Sequence, residues 1–153
     1  MKGLETLVPP PIVAIVFALL MWGLAHLTPR LDIVDVPRIV AAILLFATGA
    51  CFELAGLLSF RRARTTFNPM RPQRASALVD TGIYSITRNP MYVGLTLELG
   101  AWCCYLAAPV SLLGVLGFVV YIHGLQIRPE ERVLIGLFGD EYREYQARVR
   151  RWL

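Results

Sequence analysis

Charge is in short supply in this chain. Of its 153 residues only 17% are Asp, Glu, Lys or Arg, whereas 56% are hydrophobic. A soluble domain of this length seldom carries so few charges. The mean hydropathy is +0.57 and the apolar residues gather in long runs, so lipid is the expected solvent. Cysteine is scarce too, and badly spaced for chemistry. Cys51, Cys103 and Cys104 fall inside apolar runs, and the adjacent pair cannot make a CxxC. Metal and thiol-disulfide chemistry are therefore not expected, and the thiols are read as small packing groups. Missing as well is any basic platform interleaved with aromatics, so the net charge of +4 does not imply nucleic acid. No small-x-small cleavage site follows the first apolar run, which is read as a retained helix. Nothing divides the chain, and 1–153 is expected to form a single membrane domain.

What is present is four apolar stretches, expected to cross a bilayer near 12–27, 39–60, 91–107 and 110–127. Pro9 to Pro11 stand before the first, where proline is tolerated, and Thr28-Pro29 ends it. Gly49 and Gly56 offer places for a neighbouring helix to come close in the second. Asn89-Pro90 opens the third and Ala108-Pro109 reverses the chain, so spans three and four form a tight helical hairpin. Pro129 permits a fresh helix start, with Glu130 and Glu131 at the favourable end of its dipole. Val133, Leu134, Leu137 and Phe138 recur at helical spacing, which predicts an amphipathic C-terminal helix with a break at Gly139. The terminal run Arg148-Val149-Arg150-Arg151-Trp152-Leu153 reads as an interfacial anchor. The expected fold is all-α and membrane-integral.

Basic residues are placed unevenly. Arg30 and Arg38 lie in the first connection, Arg61, Arg62, Arg64, Arg71 and Arg74 in the second, and none in the third. Such asymmetry puts the second connection in the cytoplasm, and four crossings then put both termini there. The same count brings the polar stretch Gly82–Gly94 and the cluster Arg128-Pro129-Glu130-Glu131 to one membrane face.

Several elements occur in a specific order: Thr66-x-Asn68-Pro69; then Leu78-Val79-x-x-Gly82-x-Tyr84-x-x-x-Arg88-Asn89-Pro90-Met91-Tyr92-x-Gly94; then Pro129-Glu130-Glu131-x-x-Leu134; then Phe138-Gly139-x-x-Tyr142-x-x-Tyr145 and Val149-Arg150-Arg151-Trp152. Together they resemble the isoprenylcysteine carboxyl methyltransferase and phospholipid methyltransferase superfamily of integral-membrane enzymes. Asn89 stands where eukaryotic members usually have histidine, and bacterial relatives often have asparagine. A bacterial inner membrane with a cytoplasmic site is therefore the expected location.

The resemblance implies methyl transfer from S-adenosylmethionine, with site segments near 65–94 and 128–152. It implies Arg88 and Glu131 as the catalytic pair. Tyr84, Arg88, Asn89, Pro90, Met91, Tyr92, Gly94, Glu130 and Glu131 are the expected cofactor-binding residues. The residue types suit such a donor. Arg88, or helix-start amides near Pro90 and Met91, can take a carboxylate. Glu130, Glu131 and the Asn89 amide can accept from ammonium and hydroxyl groups. Tyr84 and Tyr92 offer aromatic faces to a sulfonium. The expected acceptor is a lipophilic small molecule or lipid-linked group bearing a carboxylate, amine or thiol.

Blander readings compete at each position. Asn89-Pro90 starts any helix, Arg88 suits a snorkelling interfacial charge, and Tyr142 and Tyr145 suit packing. A non-catalytic scaffold would use the basic loop to hold anionic membrane lipids. A transporter would place its polar groups nearer the bilayer middle. Glu53, Glu98 and His123 lie within spans, where ionisable groups face protein or water. Glu98, His123 and Trp102 are expected to line the acceptor pocket, with a Glu98–His123 pair across the hairpin as the alternative. Glu53 has no evident partner, and nothing in the sequence speaks to oligomeric state.

Overall fold

The computed structural model of the protein describes residues 8–63 and 77–153. Thr66, Asn68, Pro69 and the arginines at 64, 71 and 74 lie outside the described residues. Every regular element among the described residues is helical. Helix α1 is Pro10–Leu27, α2 Asp35–Arg62, α3 Pro90–Leu106, α4 Leu112–Ile122 and α5 Arg128–Arg148. Short 3-10 turns at Gly82–Ser85 and Pro109–Ser111 precede α3 and α4.

Hydrophobic burial does not drive helices together in lipid, so small residues and close backbones must. Helix α2 meets α3 on that principle. A Cβ placed on Gly49 would stand 2.7 Å from the carbonyl oxygen of Gly94, and one on Gly94 would stand 2.5 Å from Glu53 Cγ. Two turns further along α2, Gly56 faces Met91 and Pro90 in the same manner. Helix α1 packs instead on α4, where Met21 fills the space over Gly114 and Phe17 lies against Gly117. The rings of Phe17 and Phe118 meet edge-on at 5.9 Å. Met21, Phe118 and Ile122 at this seam are completely buried. Outward-facing Leu19, Leu20, Ile43, Leu44, Phe46 and Val120 stay exposed, an apolar surface suited to hydrocarbon.

Among the described residues three segments are long and apolar enough to cross a membrane: Pro10–Leu27, Asp35–Arg62 and Pro109–Arg148. The 17 residues of α3 rise about 25 Å at 1.5 Å each, short of a ~30 Å hydrocarbon core. Helix α3 is also the most enclosed, with Tyr92, Val93, Leu95, Leu99 and Ala101 all buried. The expected hairpin of α3 and α4 is present. Its reversal uses Ala107 in the left-handed region at φ 51°. The connection between α1 and α2 and the first turn of α2 lock onto it: the Leu31 N–H donates to the Ala107 carbonyl at 2.7 Å, and Arg38 Nη1 to that of Tyr105 at 2.7 Å.

One expectation fails at Pro129. The chain does not start a fresh helix there but continues from α4 through a π turn, His123–Ile127, straight into α5. The wider turn gives the proline ring room that a regular α-helix lacks. Gly139 does break α5, at φ 55° and ψ −122°. No atom lies within 4 Å of a Cβ added there, so the glycine serves backbone conformation and not space.

Candidate active site

Proline at the first position of α3 fixes where that helix begins, which sets the irregular run Ile86–Asn89 at its mouth. That backbone would be left with unsatisfied groups beside lipid. The C-terminal residues supply the partners. The Arg88 N–H donates to the Arg150 carbonyl at 2.9 Å, and Asn89 Nδ2 to the Arg151 carbonyl at 2.9 Å. Buried Thr87 adds its hydroxyl to the same Arg151 carbonyl at 3.3 Å and accepts from the Asn89 N–H at 3.2 Å. Trp152 packs against the apolar core. The terminal run is therefore a strap across the start of α3. Arg148 and Arg150 of the same run stay exposed.

Beside the strap, a glutamate is held by two arginines. Glu131 accepts from Arg151 at both oxygens, Nε to Oε1 at 3.0 Å and Nη2 to Oε2 at 2.6 Å. Arg88 Nη2 approaches Oε1 at 3.1 Å. The side chains of Arg88 and Glu131 are 9% and 10% exposed, so this contact lies largely out of water. Among the described residues the buried Nε of Arg88 finds no acceptor. Glu130, next along α5, accepts from the Tyr92 hydroxyl at 2.9 Å. Burial pushes the Glu130 carboxyl up to about 7; the Tyr92 hydrogen bond opposes that rise and the neighbouring Glu131 charge adds to it.

These groups line one narrow cleft with Phe60, Val79, Tyr84, Asn89, Met91, Leu134, Phe138, Tyr142 and Tyr145. Its cavity volume is ≈ 80 Å³. Burial drives the Tyr84, Tyr142 and Tyr145 hydroxyls well above their ordinary range, so all three are neutral donors. The Tyr145 hydroxyl donates to the Tyr84 carbonyl at 2.7 Å and ties the far half of α5 to the turn before α3. Sequence placed Tyr142 and Tyr145 among packing residues; both stand on the cleft wall.

Of the residues singled out from sequence, Tyr84, Arg88, Asn89, Met91, Tyr92, Glu130 and Glu131 share this cleft. Pro90 and Gly94 do not line it: they face α2, at Gly56 and Gly49 respectively. Glu98 and Trp102 lie instead in an apolar groove of ≈ 820 Å³ bounded by α1, α2 and α3, together with Glu53. Trp102 Nε1 donates there to the Ala18 carbonyl at 3.0 Å. The alternative pairing of Glu98 with His123 is not formed. The His123 Nε2 lies 3.5 Å from Arg151 Nη1, on the cleft side of the bundle, while Glu98 packs near Gly49.

The family described as phospholipid methyltransferase matches residues 37–141, from the start of α2 well into α5. The chain belongs to that family. Its similarity extends to an uncharacterized protein of Haemophilus influenzae, 48% identical over 63 residues that make up 41% of this chain and 100% of that one. Methanethiol S-methyltransferase 1 of Bradyrhizobium diazoefficiens is 44% identical over 71 residues, 44% of this chain and 22% of that protein. Protein-S-isoprenylcysteine O-methyltransferase of Saccharomyces cerevisiae is 37% identical over 78 residues, 47% of this chain and 30% of that protein. The chain thus spans less than a third of these two methyltransferases. No solved structure matches it significantly. Family membership and three apolar helices make the chain an integral membrane protein of the methyltransferase class. Arg151 entered the sequence reading only as part of the element Val149-Arg150-Arg151-Trp152, and its grip on Glu131 was not anticipated.

Proposed function

We propose that the chain is an S-adenosylmethionine-dependent methyltransferase, with the cleft around Arg88, Glu130 and Glu131 as its donor site. One observation carries the reading: a buried guanidinium, whose Nε–H has no acceptor among the described residues, lines a cleft that also holds the Glu130 carboxylate. An unpaired buried donor is costly unless a ligand completes it. The donor set fits a molecule that carries a carboxylate and an ammonium at one end.

When bound, S-adenosylmethionine supplies an electrophilic methyl group on a sulfonium sulfur. The chain's own residues do the rest. Arg88 holds the carboxylate through Nε–H. Glu130 accepts from the ammonium and becomes ionised as it does so. Asn89 keeps its side-chain oxygen as an acceptor while its Nδ2 serves the strap. Tyr84, Tyr92 and Phe60 give the cleft aromatic faces of the kind a sulfonium favours. Catalysis then comes from alignment in a site with little water. A nucleoside-sized molecule exceeds ≈ 80 Å³, so the cleft opens to admit it. Gly139, between the wall residues Phe138 and Tyr142, is the natural pivot.

The acceptor in this reading is lipophilic or amphiphilic and bears a carboxylate, amine or thiol. The groove lined by Glu98 and Trp102 gives its apolar part a place between helices. Four crossings, a cytoplasmic cleft and one domain over 1–153 complete the proposal. Calorimetry on the detergent-purified chain tests it. S-adenosylmethionine should bind, and Arg88→Ala and Glu131→Ala should each weaken binding at least about tenfold, the worth of one charge-assisted hydrogen bond. Unchanged affinity in both variants removes the proposed site. Incubating membranes with methyl-labelled donor, with and without the chain, then identifies the acceptor.

A further inference from the structure

We infer that Arg151, which does not line the cleft, is a positioning residue that keeps Arg88 available to an anionic ligand. The inference rests on the proposed reading of the cleft as a donor site. It begins with the geometry of Glu131. A carboxylate facing one guanidinium tends to take it in a two-pronged grip, using both of its oxygens and two adjacent N–H groups. Here Arg151 already occupies that grip, through Nε and Nη2. Arg88 is left with an end-on approach through Nη2 alone, and its buried Nε has no acceptor among the described residues.

Charge follows the same division. Two guanidinium groups share one carboxylate, so the cluster carries a surplus positive charge at the cleft wall. Without Arg151, Arg88 and Glu131 would neutralise one another and that surplus would vanish. The groups facing Arg151 support this arrangement: Glu131 in front, His123 at 3.5 Å, and Tyr142 nearby. The backbone adds a second link. The carbonyls of Arg150 and Arg151 hold the Arg88 N–H and the Asn89 amide, so the same dipeptide fixes the main chain from which Arg88 projects.

A merely structural arginine would affect every cleft ligand alike, whereas this role concerns only ligands with a carboxylate. The test compares S-adenosylmethionine with its decarboxylated analogue, which keeps the ammonium, sulfonium and adenosine. Affinities are measured by calorimetry for the wild type, Arg151→Gln and Arg151→Lys in detergent. Arg151→Gln retains the backbone carbonyl, so the strap can still close. It should weaken S-adenosylmethionine at least about tenfold, as expected when Arg88 is diverted to Glu131. The decarboxylated analogue should lose less than about threefold. Arg151→Lys keeps the charge without the fork and should fall between wild type and Arg151→Gln for S-adenosylmethionine alone. Should Arg151→Gln not fold, Arg151→Lys carries the comparison. Equal losses for both ligands, or no loss for either, overturn the inference. A wild type that binds neither ligand removes the proposed donor site and this inference with it.

Discussion

Glu131 and Arg88 touch one another, yet removing them should cost very different amounts. Replacing Glu131 with Leu strands two guanidinium groups, one of which is only 9% exposed. Breaking a buried ion pair by deleting one partner costs about 3–5 kcal/mol. Replacing Arg88 with Met leaves Glu131 gripped at both oxygens by Arg151. That change gives up one ion-pair contact, worth about 1.5–3 kcal/mol, and relieves a buried N–H that has no acceptor among the described residues, worth about 1–3 kcal/mol in return. The two variants should therefore differ by roughly 2–4 kcal/mol. For a chain of 153 residues each kcal/mol moves the midpoint by about 2–4 °C, so the gap should be on the order of 10 °C. Thermal unfolding in one detergent, followed by circular dichroism, reads it directly. Arg88→Met/Glu131→Leu should recover part of the loss, because only the more exposed Arg151 is then left unpaired. A midpoint for Arg88→Met as low as that of Glu131→Leu would refute the unequal sharing of the carboxylate.

Two further tests address packing and protonation. Gly49→Ala should destabilise by about 1–3 kcal/mol, because the added methyl lands 2.7 Å from the Gly94 carbonyl. Gly100→Ala on α3 meets nothing within 4 Å and should be neutral or slightly stabilising; equal effects in thermal unfolding would remove the close crossing. Glu130 titrates near 7 in the folded chain against 4.5 as its ordinary value. The folded state therefore holds this proton more tightly than the unfolded state. Its stabilising contribution is complete below pH 4.5 and is lost as pH rises through about 7, a change on the order of 3 kcal/mol. Midpoints measured from pH 5 to 8 should fall less steeply in Glu130→Gln, and an identical slope would exclude this group.

The helices were legible because hydropathy and proline placement speak locally. Pro90 marks the start of α3 and Ala108-Pro109 its reversal, and neither requires knowledge of the neighbouring helix. The meeting of Arg88 with Glu131 followed from counting crossings, since a hairpin returns both clusters to one end. Arg151 was hidden for a physical reason. An arginine tail has the same composition whether it meets phosphate headgroups or a buried carboxylate, and only tertiary contact distinguishes them. Glu53 and Glu98 were equally opaque. Their shared groove depends on the rotation of α2 against α3, which the contact between Gly49 and Gly94 sets and no periodicity reveals. Gly94 belonged to the recognised motif, yet its lack of a side chain serves that helix crossing, not the cleft.

The opening between α1, α2 and α3, at ≈ 820 Å³, has a practical bearing on handling the protein. Surrounded by oil it will not stay empty; acyl tails will occupy it. Whichever amphiphile is used for extraction then becomes part of the fold and shifts its melting point through mass action. Short-tailed and long-tailed surfactants should consequently rank the same set of variants at different absolute stabilities, so comparisons hold only within a single solubilising medium.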